Sequence, residues 1–532
     1  MDKLYYNGKI YSVDDRNTVY NAVGIDKGKI VFLGNDDIDF DSFTEKIDLQ
    51  GKSVYPGFVD SHLHMLNYAF VKQSYGMQNV SSIEQLIEEG RVISEKMNSE
   101  KNENWLYGRG WNEQGFTDEK RFITRFDLDK ISETRPILFI RVCGHIAAVN
   151  TVALNIILSL EATKQFVDQI DADNGLLTEA SVKLCYNVMK EPDVNQIKEM
   201  ILLAQSDLNR AGITGVETDN FLSLPGRNSV RIMQAYKELE AEAKLTLRVR
   251  EQASFTSFDD MKKFIDAGNR TGDGGEYYSL GPIKLYEDGS LGAKTALMNT
   301  FYQGTTDHGV AVHDQEDICN LVDYAYKNDM QILVHAIGDR ASDMVMNAYE
   351  KAIEKYGQKD LRLAINHLQF ISDTLIERMK KANIFAYIQP LFVASDKNVV
   401  RGLVGEQTEE RSYAWKTMID NNIVCCGGSD SPVEDFDILS NIQIAVTRDC
   451  LNEKTNGWHP EQKLTAEEAL RMFTINNAYG AFEEKRRGSI EIGKDADMTI
   501  LQEDLFEADP HEIAKIKIME TIVAGNTVFR VE

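Results

Sequence analysis

His62-Leu63-His64 is the sharpest local feature of this 532-residue chain. Residues two apart on a strand point to the same side, so the two imidazoles share a face. At a strand end, such a pair can hold one divalent metal ion. Alone the pattern is weak, because paired histidines also occur as plain surface residues. Its company is more telling. Of nine histidines, two others, His335 and His367, each close a run that reads as a strand. Asp430 closes another, inside GGSDSP, and Lys284 lies within a fourth, GPIKLYE. Each has an ordinary explanation by itself: a buried paired histidine, a helix-capping aspartate, a surface lysine. Their shared position on strands makes a metal-dependent site the better reading.

The strands that must position these residues recur at intervals of about one strand-helix unit. The candidates are residues 54–64, 212–218, 245–251, 281–287, 331–337, 361–367, 384–389 and 422–430. Eight strands alternating with helical stretches predict an α/β architecture, a (β/α)8 TIM-like barrel. Closure sets strand eight beside strand one, which brings Asp430 near His62 and His64. His335 and His367, 32 residues apart, fall at one height on adjacent strands, with Lys284 on the strand next to that of His335. An open doubly wound sheet is the alternative, but the chain lacks a glycine-rich dinucleotide fingerprint.

The barrel is expected over residues 58–484, interrupted by an insertion at about 66–205. That insertion reads as largely helical with one strand at 135–142, and is expected over the barrel mouth. Residues 1–57 and 485–532 carry short strands and hairpin signals, among them Asn7-Gly8 and Ala524-Gly525-Asn526. They are expected to pair as the two halves of one small β-sandwich domain.

Bulk composition narrows the function classes. Hydrophobic residues make up 43% and charged residues 27%, enough for a sizeable core. Acidic residues outnumber basic ones 84 to 58, giving a formal charge of −26. Nucleic acid and anionic membrane surfaces are therefore poor partners. Six cysteines without a C-x-x-C pair argue against a disulfide framework or zinc ribbon. The N-terminal segment lacks the apolar stretch of a signal peptide, and no run of about 18 apolar residues exists to span a membrane. A cytoplasmic location is the expectation.

GFVDSHLH, GPIKLYEDGSLGAKTA, LVHAIGDRA, INHLQF, GGSDSPV and LTAEEALRMFTINNA resemble, in order and spacing, the amidohydrolase superfamily. The wording is similar to the branch that includes N-substituted formamide deformylases. KLYYNGKIYSVD and GSIEIGKDADMTIL resemble that branch's β-sandwich halves, so the likeness covers nearly the whole chain. The resemblance implies that His62, His64 and Asp430 bind one metal ion and that His335 and His367 bind a second. Lys284 would bridge both as a carboxylated lysine, whose two anionic oxygens can span two cations. That modification starts from an unprotonated amine, which burial near cations favours. With Lys284 unmodified, a single-metal site is the fallback. Zinc suits the His and Asp ligands first; iron, manganese and cobalt also fit. The resemblance also implies a homodimer.

The chemistry expected is metal-activated water attacking a small-molecule amide, formamide or cyclic amide at its C–N bond. A divalent ion lowers the pKa of bound water from 15.7 towards ~7 and polarises the carbonyl. Asp430 would take the water's proton and pass it to the departing amine. Deamination or ester hydrolysis on the same fold is the alternative; a non-catalytic scaffold would have lost ligands that are present here. Three further residues are substrate-binding candidates. His145, in RVCGHIAAVN, matches a substrate-facing loop in the resemblance, although Cys143 stands where that branch leads one to expect an acidic residue. Glu217 ends the second strand, and Trp111, in GRGWNE, could line the pocket.

Overall fold

A computed structural model describes residues 1–35, 38–142, 144 and 146–531. The chain groups into two compact units, one comprising Met1–Met65, Leu202–Asn220 and Tyr236–Glu532, the other Leu66–Ile201 and Phe221–Ala235.

In the first unit, eight parallel strands follow one another in a single sheet. They are β1 (Phe58–Leu63), β2 (Ile213–Thr218), β3 (Arg248–Ser254), β4 (Tyr278–Tyr286), β5 (Ile332–Ala336), β6 (Ala364–His367), β7 (Phe385–Ile388) and β8 (Cys425–Gly427). Nearly every strand residue is buried, as in parallel sheets covered by helices. The helices Gln315–Lys327 and Asp373–Ala382 start where Asp314 and Ser372 accept hydrogen bonds from backbone amides of the first turn. Strand register sets Tyr286 level with His335, and His335 level with Asn366. The expected barrel is therefore present, with shifted strand limits. The third strand runs to Ser254 rather than Glu251, which puts Gln252 inside it. The eighth is three residues long, and Asp430 lies beyond it with φ +61°. Among the described residues no ladder joins β1 to β8.

The barrel interior carries charge. Arg250 Nη1 lies 3.2 Å from Glu217 Oε2, its Nη2 donates to Gln331 at 2.8 Å, and Tyr387 donates to Glu217 at 3.1 Å. Glu217 on β2 and Tyr387 on β7 belong to non-neighbouring strands, so this bond crosses the interior.

Both chain ends enter one further sheet. Its order is Asn526–Arg530, Ile518–Val523, Met498–Leu501, Ser53–Pro56, Lys3–Tyr11, Val19–Asp26 and Lys29–Gly34, with Glu45–Asp48 also beside Lys3–Tyr11. Met498–Leu501 runs antiparallel to Ser53–Pro56, and Tyr5, Ile10, Val23 and Val54 share a core with Ile490, Met498, Ile500 and Ile522. Each such side chain contributes roughly 1.5–3 kcal/mol on burial.

The second unit carries the expected helices and the expected strand, found at Ile137–Arg141, and adds what was not expected. That strand lies within a six-stranded sheet, between Ile146–Val149 and Leu106–Trp111, with a core on each side of the sheet. Its outer strands, Tyr75–Gly76 and Ile170–Asp171, are too short to show an alternating pattern. Among the described residues, no helix is long and apolar enough to cross a membrane.

Candidate metal centre

His62 is the penultimate residue of β1 and His64 follows its end, so the period of two sends both rings the same way. His62 Nε2 lies 3.0 Å and His64 Nε2 3.2 Å from the same oxygen, Asp430 Oδ1. One potential ligand atom from each residue falls within 4.8 Å of the other two.

The hydrogen bonds behind the rings decide what this cluster can hold. Gln252 donates its amide to Ser61 O at 2.9 Å, which turns its carbonyl oxygen to His62 Nδ1 at 2.7 Å. His64 Nδ1 faces the carbonyl of Asp219 at 3.1 Å. Both Nδ1 atoms therefore act as donors, and in each neutral ring the Nε2 lone pair is aimed at Asp430. Burial, reinforced by the cationic Lys284, pushes the pKa of His62 down to about 4. Burial pushes that of Asp430 up, but the two imidazoles hold the carboxyl well below the ordinary range. Burial also opposes charging of His64, and its contact with Asp430 outweighs this and raises its pKa. A proton on His64 leaves the His62 lone pair facing an anionic oxygen. One divalent cation satisfies all three acceptors, and the residues present fit such an ion.

Lys284, His335 and His367 adjoin this cluster. Lys284 is 1% exposed, and its Nζ has no hydrogen-bond partner. Burial lowers its pKa to about 8 against the pull of Asp219, Asp430 and Glu217. The His335 and His367 ring centroids are 4.4 Å apart, and those of His62 and His367 are 5.6 Å apart. His335 Nε2 donates to Gly289 O at 3.0 Å, which leaves Nδ1 as its acceptor. His367 Nδ1 meets Gln389 Oε1 and its Nε2 meets Asn366 Nδ2, both at 2.9 Å. Burial and the neighbouring cationic groups lower the pKa of both rings, to about 4 for His335, so both are neutral, the form that binds metals. His367 sits at φ +74°, in the left-handed region, where a residue other than glycine is strained. Phe392 stacks on its ring at 5.9 Å.

All six metal-site candidates thus lie in the first unit. Of the remaining three candidates, Trp111 and Glu217 are among the described residues. Trp111 is fully buried in a core of the second unit, where its indole donates to Phe139 O at 3.0 Å. Glu217 is 2% exposed, is bonded to Arg250 and Tyr387, and its charge is among those acting on Lys284. It lies next to the last residue of β2. His145 and the neighbouring Cys143 lie outside the described residues. Sequence reasoning missed Gln252, Asp219 and Asp288. The Asp288 carboxylate accepts backbone bonds from Leu297, Ile337 and Gly338 at 2.8–3.0 Å and so ties together the loops after β4 and β5. Asp288 directly follows Tyr286-Glu287 in the Lys284 segment, the one signal that could have drawn notice to it.

A family model described as amidohydrolase family matches residues 45–529. YtcJ of Bacillus subtilis strain 168, an amidohydrolase by name, is 32% identical, with 99% of each chain covered. The N-substituted formamide deformylase of Arthrobacter pascens is 24% identical over 98% of this chain and 97% of its own. Among solved structures, an uncharacterized metal-dependent hydrolase from Pyrococcus furiosus superimposes with a TM-score of 0.80. It is 26% identical, over 95% of this chain and all of that one. The chain belongs to the amidohydrolase family, and these likenesses support metal-dependent hydrolysis as its activity.

Proposed function

We propose that this member of the amidohydrolase family hydrolyses the C–N bond of a small amide, formamide or cyclic amide. The observation that carries the proposal is the convergence of His62 Nε2, His64 Nε2 and Asp430 Oδ1, three acceptors that need a shared cation. Zinc is the first choice for that place, with iron, manganese or cobalt as substitutes. When bound, the ion supplies Lewis acidity, which acidifies water and polarises a carbonyl. His335 and His367 would hold a second ion, with Lys284 as the bridge. The buried, unpartnered amine supports this role. Its lone pair can attack carbon dioxide; loss of one proton then leaves a carbamate with two anionic oxygens. Gln252 and the Asp219 carbonyl keep the β1 imidazoles turned with Nε2 toward the ion. Asp430 accepts the proton of the attacking water on its carboxylate and delivers it to the leaving nitrogen.

The formamide deformylase named above supports the choice of bond, because its similarity runs the length of both chains. We place the two chain ends in one β-sandwich domain, a reading supported by their shared sheet and core. A cytoplasmic homodimer acting on a small molecule is the accompanying proposal. The test is to count metal per chain and then challenge the zinc- and manganese-reconstituted protein with N-formyl, N-acyl and cyclic amides. Release of a free amine supports the reading. A fully metallated protein that releases only ammonia from amino-heterocycles, or only alcohols from esters, overturns the choice of bond.

A further inference from the structure

The barrel closes where its backbone ladder stops. β1 supplies His62 and leads into His64, while Asp430 follows β8, so the metal triangle spans the junction at which, among the described residues, no ladder forms. Two buried side chains take the ladder's place. The Asn477 amide donates to Val59 O at 2.7 Å and to Gly427 O at 2.9 Å, one carbonyl on each strand. Asp60 Oδ1 accepts from His62 N at 3.0 Å and from Ser429 N at 3.1 Å, again one group on each side. Beyond them the backbones meet directly: Asp430 N donates to His62 O at 2.8 Å and His64 N to Ser431 O at 2.7 Å. The approach is close enough to require glycine at 428, where a Cβ would come within 2.8 Å of His62 N and 3.0 Å of Asp60 Oδ1.

Asn477 and Asp60 are fully or almost fully buried, and each leaves one oxygen, Asn477 Oδ1 and Asp60 Oδ2, without a hydrogen-bond partner. The bonds each side chain does make are directed at the junction or at the strand beside it. Asn477 is carried there by the helix Ile475–Gly480, which follows the capped helix Ala466–Met472.

We infer that Asn477 and Asp60 are positioning residues that fix the spacing of β1 and β8 and thereby the size of the His62–His64–Asp430 triangle. Neither touches the ion. Each acts through the strands that carry its ligands. The inference rests on the metal reading above, and the experiment separates the two. Cobalt is titrated into metal-free protein, with its affinity taken from chelator competition and its ligand field from the visible spectrum. Asn477→Leu and Asp60→Ala remove the struts. Asp60→Asn keeps an Oδ1 that can accept both backbone bonds. Asn209→Leu is the control, because Asn209 also spans two carbonyls, Ile213 O and Thr246 O, but on the β2–β3 side of the barrel.

Asn477→Leu and Asp60→Ala should each weaken cobalt binding by at least ~10-fold and alter the spectrum, the scale seen when ligand-orienting groups are lost. Asp60→Asn and Asn209→Leu should stay within about threefold of wild type with an unchanged spectrum. Should Asn477→Leu fail to fold, the contrast between Asp60→Ala and Asp60→Asn decides. Wild-type affinity and spectrum in the folded strut variants overturn the positioning role. Failure of the wild type itself to bind cobalt overturns the metal reading instead.

Discussion

Replacing Gln252 by leucine isolates the tautomer argument on which the metal reading depends. The side chain is fully buried and makes two bonds, to Ser61 O at 2.9 Å and to His62 Nδ1 at 2.7 Å. Leucine has a similar shape and makes neither. The buried Ser61 carbonyl is left unpaired, so the metal-free protein should lose on the order of 1–3 kcal/mol of stability. The effect on metal is separate. Without an acceptor at Nδ1, the His62 proton moves to Nε2, where Asp430 Oδ1 waits at 3.0 Å. An incoming cation must then displace that proton. Zinc affinity should fall 10- to 100-fold, which is about 1.4–2.7 kcal/mol. Gln252→Glu separates the two effects, because it keeps an acceptor for Nδ1–H but cannot donate to Ser61. It should lower stability while holding or raising zinc affinity. Chelator competition for zinc and urea unfolding of the metal-free protein supply the two readouts. If Gln252→Leu is destabilised yet binds zinc as the wild type does, the ring orientation is not what prepares the site, and the argument fails.

Asp430→Asn should retain part of the metal, because one oxygen remains, while turnover of any cleaved amide drops by at least ~100-fold; an unchanged kcat with metal bound would assign the proton to another base. His62→Ala should lose metal and activity together, read by elemental analysis and assay of one sample. Trp111→Ala should destabilise the second unit by about 3–5 kcal/mol, visible in calorimetry, without changing metal content. Truncation after Arg487 removes Ile490, Met498, Ile500 and Ile522 from the core shared with the first strands, so the product should aggregate. A well-behaved monomer in sedimentation would show that the first strands do not need them.

The candidate cluster was legible in sequence because its members are rare residue types placed at strand ends. His62, His64, His335, His367 and Asp430 needed only the period of two and the closure of a barrel to be brought together. Their supports were not legible. Gln252, Asn477 and Asp60 are of types that usually face water, and nothing local distinguishes a glutamine that orients a ring from one on a surface. For Glu217 and Trp111 the sequence offered position alone: the contacts that claim their polar atoms, Arg250 for one and Phe139 O for the other, are not sequence neighbours and so were not legible. Of the second unit's sheet only the strand at Ile137–Arg141 was legible, because the others, of two to six residues, carry too little pattern to be separated from loop.

The sheet built from both chain ends sets a clock on biosynthesis. Tyr55, beside the first strands, hydrogen-bonds to Asp504, 449 residues further along. At roughly 5–20 residues per second, a ribosome needs on the order of 20–90 s to make the second partner after the first has emerged. Throughout that interval Tyr5, Ile10 and Val54 lack the part of their core that Ile490, Met498, Ile500 and Ile522 supply, and the junction between Asp60 and Ser429 is also open, being 369 residues wide. Nascent chains should therefore be captured by chaperones that hold exposed apolar strands, and they should gain the ability to bind metal only late in synthesis, when the last barrel strand arrives.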